Sequence, residues 1–149
     1  YERIAISWDE LKEIEQRGHI ISCHTMNHRR LSDKLTSSEL EVEINEAKSL
    51  LESKLEHSVD IFTWVGGEEY SYSKSAFKKI KDAGFNYAFC TNCAPIIAKQ
   101  SPFFLERYHV EPSYSEKELR LTLGGFYDIL YSSKRKRIAK KITTTKIEC

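Results

Sequence analysis

The stretch GHIISCHTMNH at residues 18–28 decides how this chain is interpreted. A glycine ends a helical pattern, an apolar run follows, and two histidines come next, His24 and His28. In a helical turn, the i, i+4 spacing places both imidazoles on one side, within reach of one metal ion. The zinc-protease form of this pattern has Glu after the first histidine, where this chain has Thr25. From the residues alone, a metal site and two surface histidines in a loop remain alternatives.

Helix and strand patterns alternate on both sides of this stretch. Capping residues and apolar periodicity predict helices that follow Ser7, Thr36, Ser73 and Ser115. Short apolar runs between them predict strands at residues 19–23, 59–64, 86–90 and 107–110. The alternation indicates parallel βα units, so the predicted fold class is α/β. Four strands do not close a barrel of the common eight-stranded kind.

The beginning of the chain lacks the features of a natural start. Residue 1 is Tyr, the only methionine is Met26, and the first helix has no strand before it. We therefore expect further units upstream, together with any targeting signal. The sequence does not distinguish a cytoplasmic location from one at the cell envelope.

Composition is that of one ordinary globular domain. The chain has 149 residues, of which 40% are hydrophobic and 30% charged. A net charge of +1 excludes a strong overall field for nucleic acid, and no nucleic-acid partner is predicted. Cys90 and Cys93 form a CxxC. It is typical of a redox pair or half a zinc site, but two small residues at a strand end are the favoured interpretation.

One run of basic residues stands out near the end of the chain. Lys134, Arg135, Lys136 and Arg137 are consecutive, and Lys140 and Lys141 follow. Such a run is able to contact anionic lipid or an acidic glycan, which would make the protein a peripheral membrane partner. The favoured alternative is a solvated helix end, where cations complement the helix dipole.

The order of these features resembles the second motif of the polysaccharide deacetylase family, also called the NodB homology domain. The resemblance rests on SWDEL at residues 7–11, GHIIS at 18–22, HTMNHRRL at 24–31 and the charged helix at 36–55. It covers about residues 7–110 and continues more weakly to about 137. The predicted organisation is therefore a deacetylase-like domain at 1–137, truncated at its N-terminus, and a basic, polar tail at 138–149.

The resemblance implies both a fold and a chemistry. The fold would be a partial distorted barrel of parallel strands surrounded by helices. The activity would be hydrolysis of N-acetyl, sometimes O-acetyl, groups on a polysaccharide or surface glycan, hence a hydrolase acting on carbon–nitrogen bonds that are not peptide bonds. His24 and His28 would be ligands of a divalent metal, usually zinc. The family's Asp-Asp motif, which supplies the third ligand and the general base, is absent from this sequence. We expect it upstream, and we expect the present chain alone to be inactive.

Two later segments resemble the family less closely. The third motif aligns with residues 62–67, but its Pro and Arg are missing. Trp64 would stack on a sugar or be buried, and Gly66 and Gly67 would bring backbone close to a substrate or form a plain turn. Arg107 corresponds to an arginine that orients the catalytic carboxylate. The predicted substrate-binding residues are thus Trp64, Gly66 and Gly67, and the predicted catalytic residue is Arg107.

Two functions remain open at this stage. The first is a zinc-dependent deacetylase acting on an acetylated polysaccharide or glycan. The second is a catalytically degenerate relative that binds glycan or has a structural role, which the altered third motif favours. An Asp-Asp pair upstream would decide for the enzyme.

Overall fold

Three short parallel strands form the centre of the structure, a computed structural model that describes residues 5–143. They are β1 (Ile61–Thr63), β2 (Tyr87–Cys90) and β3 (Leu105–Glu106), and they lie in the order β1-β2-β3. Phe62 is opposite Ala88, and Phe89 is opposite Leu105. The parallel arrangement confirms the predicted α/β class, and the structure shows a sheet with helices rather than a closed barrel.

Helices account for most of the remaining described residues. In chain order they are α1 (Trp8–Gln16), α2 (Ser37–Leu40), a π-helical segment (Glu41–Glu46), α3 (Ala47–Leu55), a 3₁₀ turn (Glu69–Ser71), α4 (Lys74–Asp82), α5 (Glu116–Leu123), α6 (Phe126–Leu130) and α7 (Ser132–Thr143). The predicted capping boxes at Ser7, Thr36 and Ser115 are all formed, because each hydroxyl accepts the N3 backbone N–H and each N3 glutamate accepts the cap N–H. No helix between residues 5 and 143 has both the length and the apolar character to cross a bilayer.

The hydrophobic core lies on one face of the sheet. Strand side chains alternate between the two faces, and Phe62, Ala88 and Cys90 all point into this core. The helices contribute Ile44, Ile80, Ile138 and Ile142 to the same cluster. The opposite face of the sheet is not covered by a helix layer, and it carries the candidate site described below.

The predicted strand at 19–23 is wrong as a regular strand. Only Cys23 makes a bridge, parallel to Phe62, through Cys23 N–H to Ile61 O at 2.9 Å and Thr63 N–H to Cys23 O at 2.8 Å. The segment lies at the edge of the sheet, and no strand among residues 5–143 pairs with its other side. The predicted strand at 107–110 is displaced, because the paired residues are Leu105 and Glu106.

The predicted division at residue 138 does not mark a change of structure. Helix α7 runs through it to Thr143, and Ile138 and Ile142 are buried in the main core. The sequence analysis did not assign these two isoleucines, four positions apart, to the core, because charged residues surround them in the sequence. The remaining residues assigned to the tail, 144–149, lie outside the described part of the chain.

Candidate metal centre

His24 leaves the open edge of the sheet directly after the bridge at Cys23. Its Nδ1 lies 2.8 Å from the backbone oxygen of Thr63. A carbonyl oxygen only accepts, so Nδ1 carries the proton and donates it, and Nε2 keeps its lone pair. An imidazole with its second nitrogen oriented in this way is the usual form of a histidine metal ligand.

A tight turn brings His28 back toward His24. Thr25 and His28 both adopt the left-handed conformation, with φ of 66° and 56°. This conformation is uncommon for residues with a Cβ and persists where surrounding contacts fix it. The two imidazole centroids are 5.0 Å apart, with an angle of 64° between the rings. The structure therefore brings the predicted pair together, through a strained turn rather than through a helix.

The Glu43 carboxylate holds the turn between His24 and His28 in place through Asn27. It accepts the backbone N–H of Asn27 and the side-chain amide of Asn27, both at 2.9 Å. Glu43 is only 1% exposed and lies in the π-helical segment, whose wider turn is a frequent feature of functional sites. Sequence reasoning missed this residue, because a glutamate in a charged helix gives no sign that its side chain points inward.

His24 opens onto the uncovered face of the sheet. A cavity of about 500 Å³ lies there, and its lining residues are Ile20, Ser22, His24, Ile61, Thr63, Phe89 and Arg107. Arg107 thus shares the cavity with His24, and its Nε is buried without a partner among residues 5–143. We call this cavity the sheet cavity. An arginine with an unused donor in this position is able to bind a carboxylate.

The electrostatics of the sheet cavity favour a neutral imidazole. Burial is the largest cause that lowers the pKa of His24 below its usual value, and the electrostatic influence of the neighbouring His28 and Arg107 acts in the same direction. The hydrogen bond to Thr63 opposes them. Metal ions bind the neutral form of histidine, so this environment suits a ligand.

The metal-binding side chains beside His24 are incomplete for a catalytic zinc ion. Within the described range, no third His, Cys, Asp or Glu joins His24 and His28 in a group able to hold a metal. A catalytic zinc site has three protein ligands and a water. Two neutral imidazoles fit the nitrogen part of such a site and leave the carboxylate part open.

The Gly66–Gly67 loop lies at the carboxyl end of β1, and protein atoms already surround it. Gly66 O accepts hydrogen bonds from Thr91 Oγ1 at 2.8 Å and from the Tyr72 hydroxyl at 3.3 Å. A Cβ on Gly67 would approach Thr91 Oγ1 to 2.9 Å. These contacts explain both glycines by close packing within the protein, and the predicted role in substrate binding stays a prediction.

An ion pair joins this loop to the residues after His28. Arg30 Nε and Nη2 donate to the two Glu68 carboxylate oxygens at 3.1 and 3.0 Å. Ser71 Oγ donates to the same carboxylate at 2.8 Å. The Arg30 guanidinium is the main cause that lowers the pKa of Glu68 to about 2. The bidentate pair ties the histidine turn to the Gly66–Gly67 loop.

Replacing Gly66 with alanine is expected to lower the free energy of unfolding by about 2 kcal/mol. The residue has φ of +75°, and a Cβ would lie 2.5 Å from Glu68 Oε2 and 3.0 Å from Arg30 Nε, so the ion pair would have to move. Gly84→Ala is the matched control, because Gly84 has φ of +80° but nothing within 4 Å of its Cβ position. It should cost about 1 kcal/mol from backbone strain alone. Equal losses in urea unfolding would show that the loop packing contributes nothing.

Two other predicted residues lie in surroundings that restrict their roles. Trp64 has no exposed surface and packs against Phe62 and Tyr72, with ring centroids 5.8 and 4.9 Å apart. In this structure it offers no ring face to a sugar, and the buried alternative fits. In the basic run, Arg135 donates to backbone oxygens and Arg137 pairs with Glu69 at 2.6 Å, so neither is a simple solvated cation.

Comparison with known proteins points to one family. The sequence profile of the Polysaccharide deacetylase family matches residues 2–88. No curated protein sequence matches this chain.

Several solved structures have a similar fold. The Streptococcus pyogenes deacetylase PplD in complex with acetate is 20% identical with a TM-score of 0.68, over 81% of this chain and 52% of that one. A polysaccharide deacetylase from Bacillus cereus is 21% identical with a TM-score of 0.64, over 80% and 37%. A de-N-acetylase from Aggregatibacter actinomycetemcomitans is 18% identical with a TM-score of 0.59, over 80% and 56%. The matched part thus spans between about a third and a little over half of these proteins.

Proposed function

Because the chain belongs to the polysaccharide deacetylase family, we propose that it carries the histidine part of a metal-dependent site that removes acetyl groups from a polysaccharide or surface glycan. Deacetylases with a similar fold support the general activity. One observation carries the proposal further. The His24 and His28 rings lie 5.0 Å apart beside the sheet cavity, and the bond from His24 Nδ1 to Thr63 leaves Nε2 as a donor for a metal.

Each residue of the site has a part in the proposed reaction. His24 and His28 would hold a divalent ion, with zinc as the best fit to two neutral imidazoles. Such an ion, when bound, lowers the pKa of a water and polarises a carbonyl. Thr63 holds the His24 tautomer, and Glu43 holds the turn between the two ligands. Arg107 would orient a carboxylate that removes a proton from the attacking water.

The carboxylates of the proposed site would come from another segment of the protein. Residues 5–143 bring no third ligand to the histidines, while Arg107, whose buried Nε has no partner among them, lines the same cavity. We infer that the uncovered face of the sheet is part of the inner surface of a distorted barrel, and that further strands would place an aspartate between Arg107 and His24.

N-acetyl groups are the proposed substrate, so the bond broken is a carbon–nitrogen bond.

Zinc affinity, measured by competition with a chromogenic chelator, tests the proposal directly. His24→Ala should weaken zinc binding at least about tenfold, because one of two imidazole ligands is lost. His57→Ala is the matched control, since His57 lies on the surface with Nε2 against Glu15 at 2.8 Å, and it should leave the affinity unchanged. A polypeptide extended toward the N-terminus should bind more tightly and release acetate from an N-acetylated oligosaccharide. Equal binding by the two alanine variants would refute the metal site.

One observation favours the catalytically degenerate alternative. Gly66 O and Gly67 N–H already have protein partners, so this loop offers few free backbone groups to a substrate. In that case the extended polypeptide would bind the oligosaccharide without releasing acetate. The two functions therefore give different results in the same assay.

A further inference from the structure

Helices α5 and α6 expose an unusual number of large apolar side chains. The two helices pack against each other around the turn at Gly124 and Gly125. Six such side chains are exposed, and five of them, which we call the apolar hairpin face, are Leu119, Leu123, Phe126, Ile129 and Leu130, while the sixth is Leu121. Isolated exposed apolar residues are ordinary, but a contiguous group of this kind marks an interaction surface.

The opposite sides of the hairpin are fixed to the rest of the protein. Thr122 is buried, and the Tyr108 hydroxyl donates to both carboxylate oxygens of Asp128 at 2.7 and 2.8 Å. Arg135 Nη2 donates to Asp128 O at 2.7 Å. These contacts leave the hairpin little freedom to rotate its apolar residues inward.

Basic residues outnumber acidic ones along the segment that carries the apolar hairpin face, although two of its cations, Arg137 and Lys141, pair with Glu69 and Asp33 outside that segment. Residues 115–141 contain eight Lys and Arg against three Asp and Glu, although the whole chain has a net charge of only +1. Lys117, Lys136 and Lys140 are exposed. The three acids of this segment are all engaged locally, since Glu116 pairs with Arg120, Glu118 caps α5, and Asp128 binds Tyr108.

We propose that the apolar hairpin face inserts into the headgroup region of a membrane rich in anionic lipid, with the surrounding lysines on the phosphates. Apolar side chains beside a basic surface are the two components of interfacial membrane binding. An acidic glycan would use the lysines and give no favourable environment to Ile129, which is 80% exposed. A second copy docking through the same face would bring the exposed Lys117, Lys136 and Lys140 of each copy toward like charges. The proposal adds a location to the proposed function and does not depend on it.

Co-sedimentation with vesicles tests the proposal. The chain should bind vesicles of phosphatidylglycerol and phosphatidylcholine in equal parts, and should not bind pure phosphatidylcholine. Joint replacement of Phe126 and Ile129 by serine should reduce the partition coefficient at least about tenfold. Ile20→Ser is the matched control, because Ile20 is 78% exposed on the uncovered face of the sheet, and it should not change binding. Thermal melts should show that all variants fold, since the replaced side chains are exposed.

The other outcomes would overturn the proposal. An equal loss of vesicle binding in the Ile20→Ser variant would mean that any exposed apolar residue contributes nonspecifically, rather than the apolar hairpin face. Binding that survives the serine variant but disappears with Lys136→Glu and Lys140→Glu together would be purely electrostatic contact. A dimer in sedimentation velocity that the serine variant abolishes, without any vesicle binding, would assign the face to a second copy of the chain.

Discussion

Replacing Glu43 with alanine is expected to lower the free energy of unfolding by about 4 kcal/mol. The carboxylate is buried and accepts two hydrogen bonds from Asn27, one from the backbone and one from the side chain. The alanine variant loses both acceptors and leaves an unfilled volume between the π-helical segment and the histidine turn. Urea unfolding followed by circular dichroism measures the loss.

A second measurement separates this positioning role from stability alone. Without Glu43, the left-handed residues Thr25 and His28 lose the contact that holds their turn, so zinc affinity should fall as well as stability. Glu43→Gln is the control, because the amide keeps the volume and one acceptor oxygen, and it should lie between wild type and alanine in both assays. An alanine variant as stable as wild type would show that the turn forms without the clamp.

Replacing Arg135 with alanine is expected to cost about 3 kcal/mol, although it lies in a run of surface lysines and arginines. Its guanidinium donates to three backbone oxygens, those of Asn92 at 2.9 Å, Cys93 at 2.5 Å and Asp128 at 2.7 Å. It thereby joins α7 to the loop after β2 and to the end of α6. The loss should appear as a lower midpoint of urea unfolding.

Its neighbour provides the control for this prediction. Lys136 is exposed on the same helix, so Lys136→Ala should change stability by less than about 0.5 kcal/mol. Arg135→Lys should recover only part of the loss, because an ammonium group does not reach three carbonyls at once in the fork geometry of arginine. Equal losses of stability in the two alanine variants would show that Arg135, like Lys136, is only a solvated surface residue.

Local signals predicted much of the secondary structure. The predicted helix starts at Ser7, Thr36 and Ser115 are confirmed. A capping box joins residues three positions apart, so it is recognisable in the sequence itself. The parallel direction of the strands was also predicted from the alternation of helix and strand patterns. What failed was the extent of each strand, because pairing depends on neighbours that are distant in the chain. The run at residues 19–23 has the composition of a strand but only one bridge.

The sequence predicted the two histidines of the candidate site and did not predict the residues that support them. The spacing of His24 and His28 was visible, and the structure brings both rings together. Neither the Nδ1 bond to Thr63 nor the clamp from Glu43 was predicted, since each joins residues separated by many positions. The burial of Trp64 was not predicted either, because an aromatic residue at a strand end is equally consistent with a core and with a ligand surface.

The order of the sheet has a consequence for how the chain reaches its native state. Cys23 pairs with β1, β1 with β2 and β2 with β3, so every pairing joins segments that are consecutive along the polypeptide. Each step closes one loop of moderate length, and the entropy lost in closing a loop grows only slowly with its length. We therefore expect the sheet to assemble progressively from the N-terminal side during synthesis, with each new βα unit adding to an edge that already exists.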